Sequence, residues 1–145
     1  MLAFDLARQL YDALPAFRAH QPQSGDWFFR EADGPAVPCL VDTDGSRMTI
    51  YDQRDDDRPG ELIQHAEDSE VLPFAWCPRL DQLIALAAPE GYRYLNWRPK
   101  DEAWEADGRF IQSCGLTPEE AVARWILALA AERATRKEPD NAPEL

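Results

Sequence analysis

From Leu116 the chain reads Leu-Thr-Pro-Glu-Glu120-Ala-Val122-Ala-Arg-Trp125-Ile126, and this run dictates much of what the remainder must supply. The Thr117 hydroxyl is placed to accept a hydrogen bond from a first-turn amide, and Glu120 stands where its carboxylate can reach back to the Thr117 amide. Pro118 takes the first helical position, where its missing donor is harmless, and Glu119 and Glu120 face the positive end of the helix dipole. A cap of this kind is worth on the order of 1 kcal/mol. Val122, Trp125, Ile126, Leu129 and Ala130 recur at helical spacing as one apolar stripe, and Leu116 is positioned to staple against Ala121. Such a stripe holds a helix only when packed against another surface.

The preceding residues supply that surface as short strands. Asp26–Arg30, Val37–Val41 and Arg47–Tyr51 are apolar or alternating runs separated by Asp33-Gly34-Pro35 and Asp42-Thr-Asp-Gly45, a pattern that predicts an antiparallel meander. Pro38 suits an edge position for the second of these strands. Asp52 to Pro59 is a solvated, aspartate-rich loop, Gly60 to Ser69 fits a short helix or a loop, and Val71 to Trp76 is extended. Tyr92–Trp97 is a strand with Leu95 and Trp97 on one face and Tyr92 and Tyr94 on the other. A polar strand over Glu102–Ala106 follows, and Asp107-Gly108 signals a hairpin into Arg109–Ser113. Two further helices are expected. One begins at Leu2 or Ala3, ends at Leu14 before Pro15, and buries Leu6, Leu10, Ala13, Leu14 and Phe17. The other has Pro78 in its first turn, Leu80, Leu83, Ile84 and Ala87 on its apolar face, and Pro89 and Gly91 at its end.

These elements predict an α+β fold in which an antiparallel sheet of about five or six short strands packs on two or three helices. One domain spans residues 1–137, and a polar, flexible tail follows over 138–145. The length of 145 residues can bury a core without staples, and 45% apolar and 10% aromatic residues are the proportions of a globular chain.

Charge narrows the partners. The net charge of −12 runs against nucleic-acid binding, which needs Lys and Arg to displace phosphate counterions, and against anionic membranes. It leaves a protein with a basic surface as the plausible partner. Asp5 interrupts what would be a signal sequence, and the longest apolar run, Trp125 to Ala131, is too short to span a bilayer, so the cytoplasm is expected. Three cysteines, Cys39, Cys77 and Cys114, lie far apart without C-x-x-C spacing, as suits free thiols in a reducing compartment.

No motif assigns catalytic, cofactor-binding or metal-ligating residues. Asp52, Asp55, Asp56 and Asp57 lack the convergent geometry of a hard-cation site, and Arg54 and Arg58 partly neutralise them. Asp42-x-Asp-Gly45 resembles the start of a calcium loop, but Gln53 stands where its bidentate Glu belongs. His20 and His65 are remote in sequence from each other and from the thiols, and no activating context surrounds a Cys–His pair. The seven glycines are scattered, so no phosphate-cradling loop exists. Trp27, Phe28, Phe29, Tyr92, Tyr94, Trp97 and Trp104 read as core and interface rather than as a base-stacking platform, with only Arg93, Arg98, Lys100 and Arg109 nearby. Because successive strand residues alternate, Trp27-Phe-Phe29 must place rings on both faces of its sheet.

Cys77-Pro-Arg-Leu-Asp-Gln-Leu-Ile84, Gly91-Tyr92, the polar hairpin, Gly115-Leu-Thr-Pro-Glu-Glu-Ala-Val122 and the earlier Gly25-Asp-Trp-Phe28 together resemble a group of small proteins encoded by phages and prophages. The resemblance covers the C-terminal half plus the Gly25 patch. It implies a phage-associated origin with no assigned activity and brings no catalytic residues. The strand–strand–helix portion is also similar, at the level of fold, to HicB-type antitoxins. The sequence thus leads to a non-enzymatic, acidic accessory or protein-binding protein. A small enzyme with a carboxylate-lined site and a DNA-mimicking inhibitor of a basic protein stand as alternatives, and the oligomeric state is left open.

Overall fold

Leu6, Ala7 and Leu10 recur on one side of α1 (Phe4–Ala13) and are buried, as the periodicity predicts, whereas Ala13 faces solvent. Pro15 does more than stop this helix. Its fixed φ and missing amide suit a first helical position, so it opens α2 (Pro15–Arg18), which buries Phe17. The computed structural model describes residues 1–30, 37–43, 47–52, 61–67 and 74–141. The chain is α+β and divides into two compact units, Met1–Arg79 and Leu80–Leu145.

In the first unit, β1 (Trp27–Arg30), β2 (Val37–Thr43), β3 (Arg47–Asp52), β4 (Glu61–Glu67) and β5 (Phe74–Cys77) form one antiparallel sheet in the order β4-β3-β2-β1-β5. The meander is as expected; β4 occupies the stretch where the sequence left helix and loop open. Pro38 is not on an edge strand, since β2 lies between β1 and β3. Among the described residues Pro38 pairs with Phe29 of β1, and the described ladder with β3 includes Cys39 but not Pro38. Phe28 and Phe29 point to opposite faces and both are buried. Phe4 of α1 meets Phe29 edge-on at 5.4 Å, while Phe17 of α2 meets Trp76, the register partner of Phe28, also at 5.4 Å. The two helices therefore straddle edge strand β5 and cover both faces there, which shields that edge. The Asp33–Pro35 and Asp42–Gly45 turns and the aspartate loop fall wholly or partly outside the described residues.

The second unit starts with α3 (Leu80–Ala87), which buries Leu83 and Ala87 and passes through a 3-10 turn (Ala88–Glu90) to Gly91, left-handed at φ +104°. Pro78 thus lies two residues ahead of α3 rather than in its first turn. β6 (Tyr92–Arg98), β7 (Ala103–Gly108) and β8 (Ile111–Gly115) form a three-stranded antiparallel sheet. The strands of the chain accordingly sort into two sheets. α4 (Pro118–Asn141) lies on β7 and β8, with α3 packed on it. Its assigned backbone passes Glu138, where the sequence reading places the start of the tail. Val122, Trp125, Ile126 and Leu129 are buried, and Trp125 Nε1 donates to the Gly108 carbonyl at 3.1 Å.

Four local readings change here. The Glu120 amide donates to Thr117 Oγ1 at 3.1 Å, as a cap should, but the Glu120 carboxylate accepts from the Leu116 amide at 2.8 Å, one residue beyond the expected target. Leu116 is exposed and makes no staple. The β7–β8 turn is Arg109-Phe110, both left-handed at φ +50° and +61°, and Gly108 belongs to the strand. Gly108 is needed there for space: a Cβ on it would sit 2.3 Å from the Gly91 carbonyl oxygen. A bulge between Tyr92 and Tyr94 turns Tyr92 onto the Leu95 and Trp97 face, where it meets Trp125 edge-on.

Candidate functional site

Among the described residues of the first unit, His20, Asp26, Trp76 and Arg79 build a buried polar cluster. Gly25, left-handed at φ +90°, turns the chain into β1, and Asp26 follows with its side chain only 1% exposed. A buried carboxylate must be paired or hydrogen-bonded. Asp26 Oδ2 accepts from His20 Nε2 at 2.7 Å and from the Gln23 amide at 2.9 Å, and Arg79 Nη1 stands 3.6 Å from Oδ1. Arg79 also donates to the Gly25 carbonyl at 2.9 Å. The His20 ring lies flat on Trp76, 3.6 Å between centroids with a 7° tilt. The cluster thereby ties the end of the helical segment, the start of β1 and the end of β5.

Chemically, a carboxylate on one imidazole nitrogen fixes the ring's orientation. When Nε2 carries the proton toward Asp26, Nδ1 is the acceptor, the relation of base to orienting acid in hydrolytic sites. As a metal site the cluster is poor, because Asp26 is already committed to three donors. Among the described residues no group of three or more His, Cys, Asp or Glu is arranged to hold a metal ion.

In the sequence His20 stands apart from His65 and from the cysteines. Its one local signal is Asp26 six residues on across the Gly25 turn; Trp76 and Arg79 are supplied by strand pairing, which no local pattern encodes. His65 lies on β4, and its side chain is outside the described residues, as are most of the aspartates of the acidic loop. Cys39 and Cys77 are buried and Cys114 is exposed, all as free thiols; Cys77 Sγ donates weakly to the Leu2 carbonyl at 3.5 Å.

In the second unit, the aromatic strand β6 is open. Tyr94 is 51% and Trp97 47% exposed, on opposite faces, with Trp97 tilted against Trp104 at 5.5 Å. Arg98 Nη1 donates to Glu105 Oε2 at 2.9 Å, while Glu105 Oε1 and, in the first unit, Trp76 Nε1 are buried without a hydrogen-bond partner among the described residues. Arg133 on α4 donates to Glu90 after α3, and with its charge this bond holds the Glu90 carboxyl below its ordinary value of 4.5. Burial pushes the Tyr92 phenol up. No helix among the described residues is long and apolar enough to cross a membrane.

Compared with protein-family models, with curated proteins and with solved structures, the chain gives no match in any of the three.

Proposed function

We propose that this chain is a non-enzymatic accessory protein of the phage or prophage type that acts by binding a basic protein. The observation that carries the reading is the charge and where it lies along the chain. Met1–Arg79 holds fifteen Asp and Glu against seven Arg, and Leu80–Leu145 twelve against eight Lys and Arg. A surface of one sign accelerates encounter with its opposite and rejects partners of its own sign. The test is affinity capture with the full chain, reading the isoelectric points of what is retained. Reproducible capture of a basic protein, released by salt, supports the reading. Capture of nothing reproducible, or of acidic proteins only, removes it. Repeating the capture with duplex DNA present separates the DNA-mimic form of the proposal: DNA and chain compete for one site on such a partner.

The enzyme alternative has one specific support, the His20–Asp26 pair, which is the base and orienting half of a hydrolytic constellation. Its test is a panel of activated carboxylic and phosphoric esters, with turnover lost in His20→Ala. A panel without turnover above that variant disposes of it.

A further inference from the structure

We infer that the open face of the three-stranded sheet seats an arginine side chain of the basic partner, with Glu105 Oε1 and Asp107 as acceptors and the Tyr94 ring as its platform. α4 covers the face that carries Tyr92 and Ala106. Side chains alternate along a strand, and register sets two rows across the other face. One is made of Tyr94, Asp107 and Gln112, the next of Asn96, Glu105 and Cys114.

Glu105 is the anomaly of this face. Asn96 and Cys114 flank it and are exposed, yet Glu105 itself is only 6% exposed. Arg98 Nη1 donates to its Oε2 at 2.9 Å, whereas Oε1 is buried and accepts no hydrogen bond among the described residues. A buried carboxylate oxygen without a donor is costly. The fold therefore leaves a place here for a donor from outside the chain.

Water supplies a donor; charge and shape select a guanidinium. Asp101 Oδ2 stands 3.4 Å from Arg98 Nε, so Arg98 is shared between two carboxylates and does not cancel Glu105. With Asp107, the face and its adjoining turn set three carboxylates against that one guanidinium, while Lys100 and Glu102 in the turn offset each other. Arg93 sits in the bulge, outside both rows. Glu105 and Asp107 are next neighbours on one strand face, about 7 Å apart along the strand, a gap that the N–H groups of one planar guanidinium bridge. Tyr94, directly across from Asp107 and open to solvent, offers its ring for that cation to stack on. An ammonium has neither the fork nor the plane, so the site separates arginine from lysine. The inference rests on the binding of a basic protein and adds the contact through which it is made.

The experiment is an amide NMR titration of the full chain with acetyl-glycyl-arginyl-glycinamide and its lysyl counterpart at about 100 mM salt. Saturable shifts are expected at Tyr94, Asn96, Glu105 and Asp107, with the lysyl peptide binding at least about threefold more weakly. Glu105→Gln and Asp107→Asn are each expected to weaken the arginyl peptide at least about fivefold, and Asp12→Asn, the same change of charge in the first unit, by less than about twofold. Circular dichroism reports folding, and Tyr94→Leu decides the matter if a carboxylate variant misfolds: it is expected to abolish the preference for arginine without altering charge. Equal binding of the two peptides overturns the inference. So do shifts spread over carboxylates elsewhere, or a Glu105→Gln effect no larger than that of Asp12→Asn. A basic protein captured by the chain, with these amides unmoved by either peptide, removes the site and leaves the partner. Peptide binding here with no protein captured keeps the arginine site and removes the partner.

Discussion

Asp26 carries a charge into the interior, and its environment explains how. Three donors converge on one carboxylate, with His20 held against Trp76 by stacking. Losing a hydrogen bond to a charged group costs about 1.5–3 kcal/mol, and Asp26 keeps the Gln23 amide and Arg79 when His20 is removed. His20→Ala is therefore expected to lower stability by about 2–3 kcal/mol in urea unfolding, the lost stack included. Asp12→Ala breaks only the exposed pair with Arg8 and should change stability by less than about 0.5 kcal/mol. Glu90 is the exposed counterpart, with its acidity strengthened by Arg133. Because its folded value is depressed, its contribution is fully present above 4.5 and is lost as pH falls through the lower folded value. The difference in melting temperature between the wild type and Glu90→Gln should accordingly shrink toward zero on acidification through that window. A difference that grows instead would contradict the pairing.

At the scale of elements, the β7–β8 hairpin is the place where local preference and tertiary demand conflict. Arg109 and Phe110 both hold left-handed backbone, which costs a non-glycine residue about 1–2 kcal/mol, and Phe110 is fully exposed there. Phe110→Gly is thus expected to raise stability by about 1 kcal/mol. Gly108→Ala should be strongly destabilising, because a methyl group there meets the backbone of Gly91 and Tyr92. Thermal unfolding of the two variants checks both signs. The same hairpin shows what a sequence can reveal. α4 was legible because Thr117, Pro118 and Glu120 cap it with contacts to neighbours in the chain, and its stripe repeats at one period. The hairpin was readable as a hairpin, yet its turn lay two residues further on. Asp107-Gly108 is a strong turn signal locally, but Gly108 is spent on a close approach to Gly91. β4 was not legible, since Glu61–Glu67 mixes polar and apolar residues and becomes a strand through pairing with β3. Pro38 misled for a similar reason: the place of β2 between β1 and β3 depends on strand pairing, which local residues do not encode.

Over the whole molecule, the α+β class and the antiparallel pairing followed from alternation and turn residues, whereas the sorting of strands into a five-stranded and a three-stranded sheet did not. Each strand run looks alike in isolation, and membership of a sheet is decided by partners far along the chain. The His20–Asp26 cluster was hidden for the same reason, as Trp76 and Arg79 reach it only once β5 has paired with β1. Net charge is different, because it is a property of the sequence that folding does not alter. Proposed function rests on it, and its sharpest consequence is a dependence on ionic strength. Screening shortens the reach of exposed charges from about 10 Å at 0.1 M salt to about 3 Å at 1 M. The most direct measurement is calorimetric titration of the full chain with the basic protein it captures, repeated between about 50 and 500 mM salt. The charge-led account predicts at least about tenfold weaker binding across that range. Affinity that holds constant with salt would contradict it.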